Sequence, residues 1–450
     1  AITTRSYKAG LKNMFATPKV VLVLVAVATG ALLANVVRTG SHSQALASIR
    51  NQRKLKIPGT TLELELLNEG RFPDAVCLDG TPGAVHSEII DGATGWIIYF
   101  GGVGWCYSEE ECLLRSKTKE GSSNNLSQVS EHDSTILSSD CNINPEFCKF
   151  SKVRLHYCDG FSFISDADEP VTVGNERIYF RGRKILDAVI ATFIPRGLNN
   201  AEEILLTGHS AGGLATILNA DYLSDRFFSN KRVFRSLKKY KALPFDGFFL
   251  NTNTVLNEPL FPMQIQALYN MSKAKGPNKC LVNVRLEEQW KCSFAENAYA
   301  TLTTPMFLVN SVLDRVQLNQ IYLQPLIREL HSLFLCTQDL EDCVNKDDVD
   351  LIQGYAQLFN TILERSSAKS RNKGTGFFYT CLGHMNSAFP YHWSELTIEG
   401  VAMRDAVTAW WRADPASPTE LRKFMPCTLN KNEFPRQCNE MCNQEILHFS

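Results

Sequence analysis

Strand-length apolar runs alternating with longer amphipathic stretches predict an α/β fold, a mostly parallel sheet covered by helices on both faces. Two further observations agree. One run passes directly into a helix-like stretch through Gly208-His209-Ser210-Ala211-Gly212, and no internal repeat or low-complexity tract breaks the alternation. The 450 residues are 44% hydrophobic and 21% charged, an ordinary globular composition with length enough for a large core. Basic and acidic residues balance, 46 against 47, and no Lys/Arg stripe dominates the body. That balance argues against a nucleic-acid partner.

The elements follow in chain order. Residues 1–19 carry Arg5, Lys8, Lys12 and Lys19 ahead of an uncharged apolar run over 20–37. A basic flank before an apolar run is either a signal peptide or a signal anchor. The run reaches the roughly 17–25 residues that a membrane crossing needs, which favours the anchor. Ala45-x-Ala47 keeps a cleaved signal peptide open. Both routes lead into the secretory pathway. The uncleaved anchor gives a type II membrane protein with its body outside the cytoplasm, the cleaved signal peptide a secreted protein. Residues 38–60 read as a polar, basic linker and 61–450 as the folded domain. Within it, Trp96–Phe100, Val153–Tyr157, Ile204–Thr207, Phe248–Leu250, Met306–Val309 and Phe377–Cys381 have strand length and apolar character. Ile178–Phe193, Leu214–Phe228, Leu318–Phe334 and Val349–Leu363 repeat apolar residues at helical spacing. Gly, Ser and Asn crowd residues 121–125 and 138–144, which predicts a surface loop held by cysteines.

Fourteen cysteines are spread over the body, and their spacings do not match paired zinc knuckles. Disulfides in an oxidising compartment are the expectation. There, Asn125-Leu126-Ser127 and Asn270-Met271-Ser272 would accept glycans. No His/Asp/Glu cluster has metal-ligand spacing, so neither metal nor other cofactor is expected.

A strand that turns sharply into a helix through Gly-x-Ser-x-Gly is the nucleophile elbow of serine hydrolases. Flanking glycines permit a cramped turn, and the helix directs its N-terminal N–H groups at a developing oxyanion. A serine hydroxyl needs an imidazole to take its proton, and the imidazole needs a carboxylate to hold its tautomer. In this arrangement the chain order is Ser, acid, His. Of the downstream histidines, His331 sits on an amphipathic stretch, His392 abuts Trp393, and His448 is nearly terminal. His384 instead follows the Phe377–Cys381 run, on the loop where a base belongs. Asp314 stands in the same relation to Met306–Val309. Its rival Asp246 precedes the Phe248–Leu250 run, and Asp339 and Asp342 lie in an acidic, cysteine-bounded loop. The expected catalytic set is therefore Ser210, Asp314 and His384. Gly101-Gly102-Val103-Gly104-Trp105-Cys106, after an early strand, offers backbone N–H groups to a substrate carbonyl, with the N–H of Ala211 completing the hole. Glu109-Glu110-Glu111 reads as a solvated face.

Together these segments resemble the pectin acetylesterase family, whose animal relatives include the Wnt-deacylating Notum enzymes. The likeness runs from about Leu62 to Trp411. It is carried by Gly102–Cys106, Leu155–Phe163, Gly208–Ala215, Asn310–Gln317 and Cys381–His384, with a Trp-containing helix near Thr397–Trp411. It implies an α/β-hydrolase-like fold, a serine carboxylesterase with Ser210, Asp314 and His384 at the triad positions, and oxyanion donors at Val103, Gly104 and Ala211. It also implies disulfides Cys106–Cys112 and Cys77–Cys158. The chain departs from the family pattern in three places. Gly101 stands where the family usually has an acidic residue, Val103 where it has Gly, and His209 where plant members commonly have Cys. A backbone donor at Val103 requires negative φ, and its side chain would narrow the acyl pocket. His209 reads as a packing or orienting group.

The leading expectation is hydrolysis of O-acetyl esters on an acetylated, pectin-like cell-wall polysaccharide. One alternative is a Notum-like protein or lipid O-deacylase. Another, of a different class, is a catalytically silent carbohydrate-binding surface protein on the same scaffold.

Overall fold

The computed structural model describes residues 61–130, 135–324, 326–343, 345–413 and 422–424, with Asn439 and Cys442. The basic segment, apolar run and linker of residues 1–60 lie outside the described residues. Among the described residues, no helix is long and apolar enough to cross a membrane.

Among the described residues, ten strands make one sheet. They are β1 Leu62–Leu66, β2 Ala84–Glu88, β3 Gly95–Phe100, β4 Val129–Ser130 and β5 Ser151–Leu155, then β6 Glu203–His209, β7 Lys239–Phe245, β8 Leu308–Ser311, β9 Gly376–Tyr379 and β10 Arg422–Phe424. Their spatial order is β10-β9-β8-β7-β6-β3-β5-β2-β1-β4. From β5 to β10 every neighbouring pair is parallel; β2, β1 and β4 add antiparallel strands at one edge. The central strands are buried on both faces, so they read as continuous apolar runs rather than alternating ones. Trp96, Ile98 and Phe100 of β3 join one core; Ile97 and Tyr99 join the other.

Helices cover both faces. α1 Glu109–Ser116, α2 Gly182–Phe193, α3 Ala211–Ser229, α4 Leu260–Met271, α5 Lys346–Lys369 and α6 Met403–Arg412 are the longer ones. The first core receives Ile185, Leu186 and Val189 of α2, Leu214 and Leu218 of α3, and Ile352 and Phe359 of α5. The second receives Met403, Val407, Trp410 and Trp411 of α6. α6 is the Trp-containing helix, preceded by a ribbon of Thr397–Ile398 and Val401–Ala402.

Three segments differ from expectation. The strand beside β6 is β7, and Phe248–Leu250 is an irregular loop beyond its end. Leu318–Phe334 is a π turn at Leu318–Tyr322 and two short helices, Leu326–Glu329 and His331–Cys336, because a proline at 325 is incompatible with one uninterrupted helix. Of the Gly/Ser/Asn-rich stretches, 138–144 is cysteine-held, through Cys141–Cys148, but much of both stretches is interior. Ser122, Ser123, Ser138 and Asn144 are buried, and the Asn144 amide donates to Ile136 O at 2.8 Å.

Among the described residues, six disulfides join Cys77–Cys158, Cys106–Cys112, Cys141–Cys148, Cys280–Cys292, Cys336–Cys343 and Cys381–Cys442. The two pairings implied by the family resemblance are among them. Disulfides in this number belong to an oxidising compartment, so the body is that of a secretory-pathway protein.

Candidate active site

β6 ends at His209 and α3 begins at Ala211, so Ser210 alone makes the turn. Its φ of 58° and ψ of −124° lie where side-chain-bearing residues rarely sit, at a cost of about 1–3 kcal/mol. The glycines serve a different purpose from the one their pattern suggests, because Gly208, Gly212 and Gly213 all lack positive φ. A Cβ at Gly208 would lie 2.5 Å from Gly212 O, at Gly212 2.2 Å from Phe100 O, and at Gly213 2.4 Å from Phe245 O. The serine carries the strain. The glycines let the backbones of β3 and β7 close on the elbow.

Asp314 and His384 follow β8 and β9, and both loops run back toward Ser210. Their relative register is held by an isolated bridge between Asp314 and Gly383 and by Arg315 N–H donating to Gly383 O at 3.1 Å. Asp314 is fully buried and its Oδ2 lies 2.8 Å from His384 Nδ1. A carboxylate only accepts, so the shared proton sits on Nδ1. Nε2 is then free to accept from Ser210 Oγ at 2.7 Å. Asp314 Oδ1 accepts from Gln317 N–H at 3.0 Å, which caps the following turn and fixes the carboxylate plane. Burial by itself would lower the His384 pKa. The charge and hydrogen bond of Asp314, aided by Asp246, outweigh it and hold the imidazole above its ordinary value.

Asp246 is the residue whose placement the strand boundaries concealed. Because β7 ends at Phe245, Asp246 follows its strand as Asp314 follows β8. It is fully buried. Oδ1 accepts from Tyr379 Oη at 2.9 Å and from Ser311 N–H at 3.3 Å, and Oδ2 from Met385 N–H at 3.1 Å. The apolar pattern of Tyr240, Ala242, Leu243 and Phe245 was the available signal for the strand.

The loop after β3 leans against the elbow. A Cβ at Gly102 would lie 2.0 Å from Gly212 N, so only glycine fits there. At Gly101 a Cβ would meet Leu155 O at 2.8 Å, so a side chain there would require the backbone to shift. Val103 keeps φ out of the left-handed region, which falls instead on Gly104 at 52°. The Val103 side chain is 54% exposed, so it points to solvent rather than into a buried pocket. Ala211 opens α3, and its N–H is one of the helix-start donors without an intrahelical carbonyl. Arg115 of α1 donates to Val103 O, and Cys106–Cys112 ties the same loop to α1. Trp105 Nε1 donates to Ser162 Oγ at 2.8 Å, and that hydroxyl donates to Ala211 O at 2.9 Å. Arg115 carried no signal in sequence; Ser162 lies in Leu155–Phe163, a stretch that carries the family resemblance, but the resemblance gives it no role. Ser108 caps α1, its Oγ accepting from Glu111 N–H at 3.1 Å, and Glu109, Glu110 and Glu111 are exposed.

His209 is buried and stacks on Phe245 with ring centroids 4.5 Å apart. Its Nδ1 is 3.0 Å from Tyr99 Oη and its Nε2 is 2.8 Å from Ser387 Oγ, so it links the elbow to the loop carrying His384. His392 is buried on a short helix, and His331 is exposed on another. Asp342 is exposed; His448 lies outside the described residues.

An aromatic wall lies beside His384. Phe249 lies 6.2 Å from the His384 ring and 4.8 Å from Trp105; Phe261 lies 5.8 Å from Trp105, 6.3 Å from Tyr107 and 5.7 Å from Phe294. Edge-to-face and tilted contacts at these spacings are favourable ring packing, so the wall is filled by its own side chains.

The family model described as Pectinacetylesterase matches residues 55–443. Pectin acetylesterase 5 of Arabidopsis thaliana is 29% identical over 377 residues, which span 82% of this chain and 84% of the plant protein. Palmitoleoyl-protein carboxylesterase notum1' of Xenopus laevis is 26% identical over 390 residues, 83% of this chain and 73% of that protein. The solved structure of the Wnt deacylase Notum from Drosophila superposes with a TM-score of 0.66 at 21% identity, covering 78% of this chain and 93% of that one. That last likeness is one of fold.

Proposed function

This chain belongs to the pectinacetylesterase family and is a carboxylic ester hydrolase, and from that premise we propose that Ser210, His384 and Asp314 remove O-acetyl groups from an acetylated, pectin-like polysaccharide. Ser210 Oγ attacks the acetyl carbonyl as its proton passes to His384 Nε2. Asp314 holds Nδ1–H and opposes the charge of the imidazolium. The carbonyl oxygen, now negative, accepts from the N–H groups of Ala211, Val103 and Gly104. His384 then gives its proton to the departing sugar hydroxyl, leaving an acetyl-serine. Water, deprotonated by the same imidazole, attacks that ester and releases acetate. One observation supports this reading above the others: the buried chain of contacts, 2.7 Å from Ser210 to His384 and 2.8 Å from His384 to Asp314.

The acetyl preference is supported by the aromatic wall. Phe249 packs beside His384, with Trp105 against Phe249 and Phe261 against Trp105, and these rings fill space that a long acyl chain would need. The relatives named palmitoleoyl-protein carboxylesterases favour the second reading, an O-deacylase acting on protein-linked lipid. Hydrolysis of acetyl against long-chain esters separates the two. The apolar run over 20–37 would either anchor the body on the non-cytoplasmic side of a membrane or be cleaved. Asn125 and Asn270 are both exposed and would carry glycans there.

The test is Ser210→Ala, assayed on an activated acetate ester and on acetylated pectin. Turnover should vanish while the melting temperature holds. Unchanged turnover rejects the assignment. Failure of the native chain to react with a serine-directed fluorophosphonate would favour the silent binding protein.

A further inference from the structure

Two buried carboxylates, not one, flank the imidazole. Asp314 is accounted for by its contact with Nδ1. Asp246 has no role in the proton relay, yet it is fully buried and lies at the end of β7, between the strands that carry Ser210 and Asp314. An ionised carboxyl in such a site costs free energy unless its surroundings use the charge.

Three contacts show where Asp246 is aimed. Oδ2 accepts from the N–H of Met385, the residue directly after His384. Met385 stands in the left-handed region at φ 64°, a conformation that a non-glycine residue holds only when its surroundings fix it. Oδ1 accepts from Tyr379 Oη on β9 and from Ser311 N–H on β8, so one carboxylate joins three of the segments that build the site. On the far side of the same loop, Ser387 Oγ meets His209 Nε2 at 2.8 Å, and Ser387 O accepts from Thr135 Oγ1 at 2.7 Å. The His384 loop is thus gripped at both ends.

From this geometry we infer that Asp246 is a positioning residue for the reaction, holding the loop that carries His384 and opposing the positive charge the imidazole gains when it takes the serine proton. The inference rests on the triad reading above. The groups facing His384 are Ser210 from the elbow, Asp314 and Arg315 from the loop after β8, Asp246 from the end of β7, and the ring of Phe249. Arg315 repels an imidazolium; the two carboxylates attract it. Those facing Asp246 are His384, Asp314 and the hydroxyl of Tyr379. Burial, offset in part by His384 and reinforced by Asp314, pushes the Asp246 pKa up to about 6, so it is charged over the neutral range where an esterase with a histidine base works.

The experiment is Asp246→Asn in the full chain, with kcat and KM for an activated acetate ester measured across pH. Asparagine keeps the shape and an acceptor for Tyr379, but loses the charge and sets an amide against Met385 N–H. The expected result is a fall in kcat of about tenfold with KM within about twofold. The acid limb of kcat/KM should move to lower pH, because an imidazole without its second counter-charge gives up its proton more readily. A lowered melting temperature with an unmoved acid limb overturns the inference, since a merely structural carboxylate predicts that. Ser210→Ala runs beside it. Residual turnover there rejects the triad itself, whereas a dead Ser210→Ala with an unmoved Asp246→Asn profile rejects only Asp246. Should Asp246→Asn fail to fold, the wild-type chain answers through the His384 ring-nitrogen NMR shift. Two inflections, one following the Asp246 carboxyl, support the inference; a single inflection overturns it.

Discussion

Asp314→Asn tests the proposed mechanism most sharply, because the two side chains have the same shape and differ only in charge and one donor. Asp314 fills both oxygens: Oδ1 accepts from Gln317 N–H at 3.0 Å and Oδ2 faces His384 Nδ1 at 2.8 Å. Asparagine has one carbonyl oxygen. If that oxygen keeps the turn at Gln317, the amide NH2 faces Nδ1, which must then accept. The ring proton moves to Nε2, 2.7 Å from Ser210 Oγ, where it donates instead of accepting. The nucleophile loses its base while every atom stays in place. A tautomer error of this kind costs about 10⁴ in kcat, or about 5.5 kcal/mol of barrier. KM should change little, since Asp314 is fully buried. The assay is steady-state hydrolysis of an activated acetate ester, with fluorophosphonate labelling of Ser210 slowed in parallel and a thermal melt to verify folding. A loss of less than about tenfold would refute the reasoning, because another group would then be holding the imidazole.

Other consequences follow from the same geometry. Gly212→Ala places a Cβ 2.2 Å from Phe100 O, a backbone atom that cannot rotate away. It should abolish activity and lower stability by on the order of 3 kcal/mol in a urea titration. Phe261→Ala removes a ring packed on Trp105, Tyr107 and Phe294, costing about 3–5 kcal/mol and opening space beside the site. The ratio of butyrate to acetate hydrolysis should rise; an unchanged ratio would remove the wall from acyl selection. The carboxylates hold His384 above the ordinary imidazole pKa despite burial, and the base acts only when neutral. The acid limb of kcat/KM should therefore lie above the ordinary imidazole value, and activity should fall as pH drops through it; a limb below that value contradicts the assigned surroundings.

Much of this was readable from local pattern. Ile204–Thr207, Gly208–Gly212 and the apolar stretch after them announce a strand, a sharp turn and a helix. The apolar run before His384 put that imidazole on a loop at the end of a late strand. Local pattern failed at β7, where Lys239 and Lys241 break the apolar run. Lys241 is nevertheless buried, because its Nζ donates to the carbonyls of Trp410 and Trp411 at the end of α6. A charge satisfied by a helix end some 170 residues away leaves no trace in its own neighbourhood. Misplacing that strand also misplaced Asp246 relative to it. The reach of Arg115 to Val103 O and the pairing of Cys381 with Cys442 were hidden for the same reason.

By itself the sequence determined the segments that alternate, the residue types able to do acyl chemistry, and the strand ends on which they stand. Each of those is written in contiguous residues, through hydrophobic period, turn chemistry and side-chain identity. Only the tertiary structure decided which carboxylate faces which imidazole nitrogen, why the glycines are required, and that a second acid is buried beside the first. These depend on distances between strands, and distance along the chain carries no information about them.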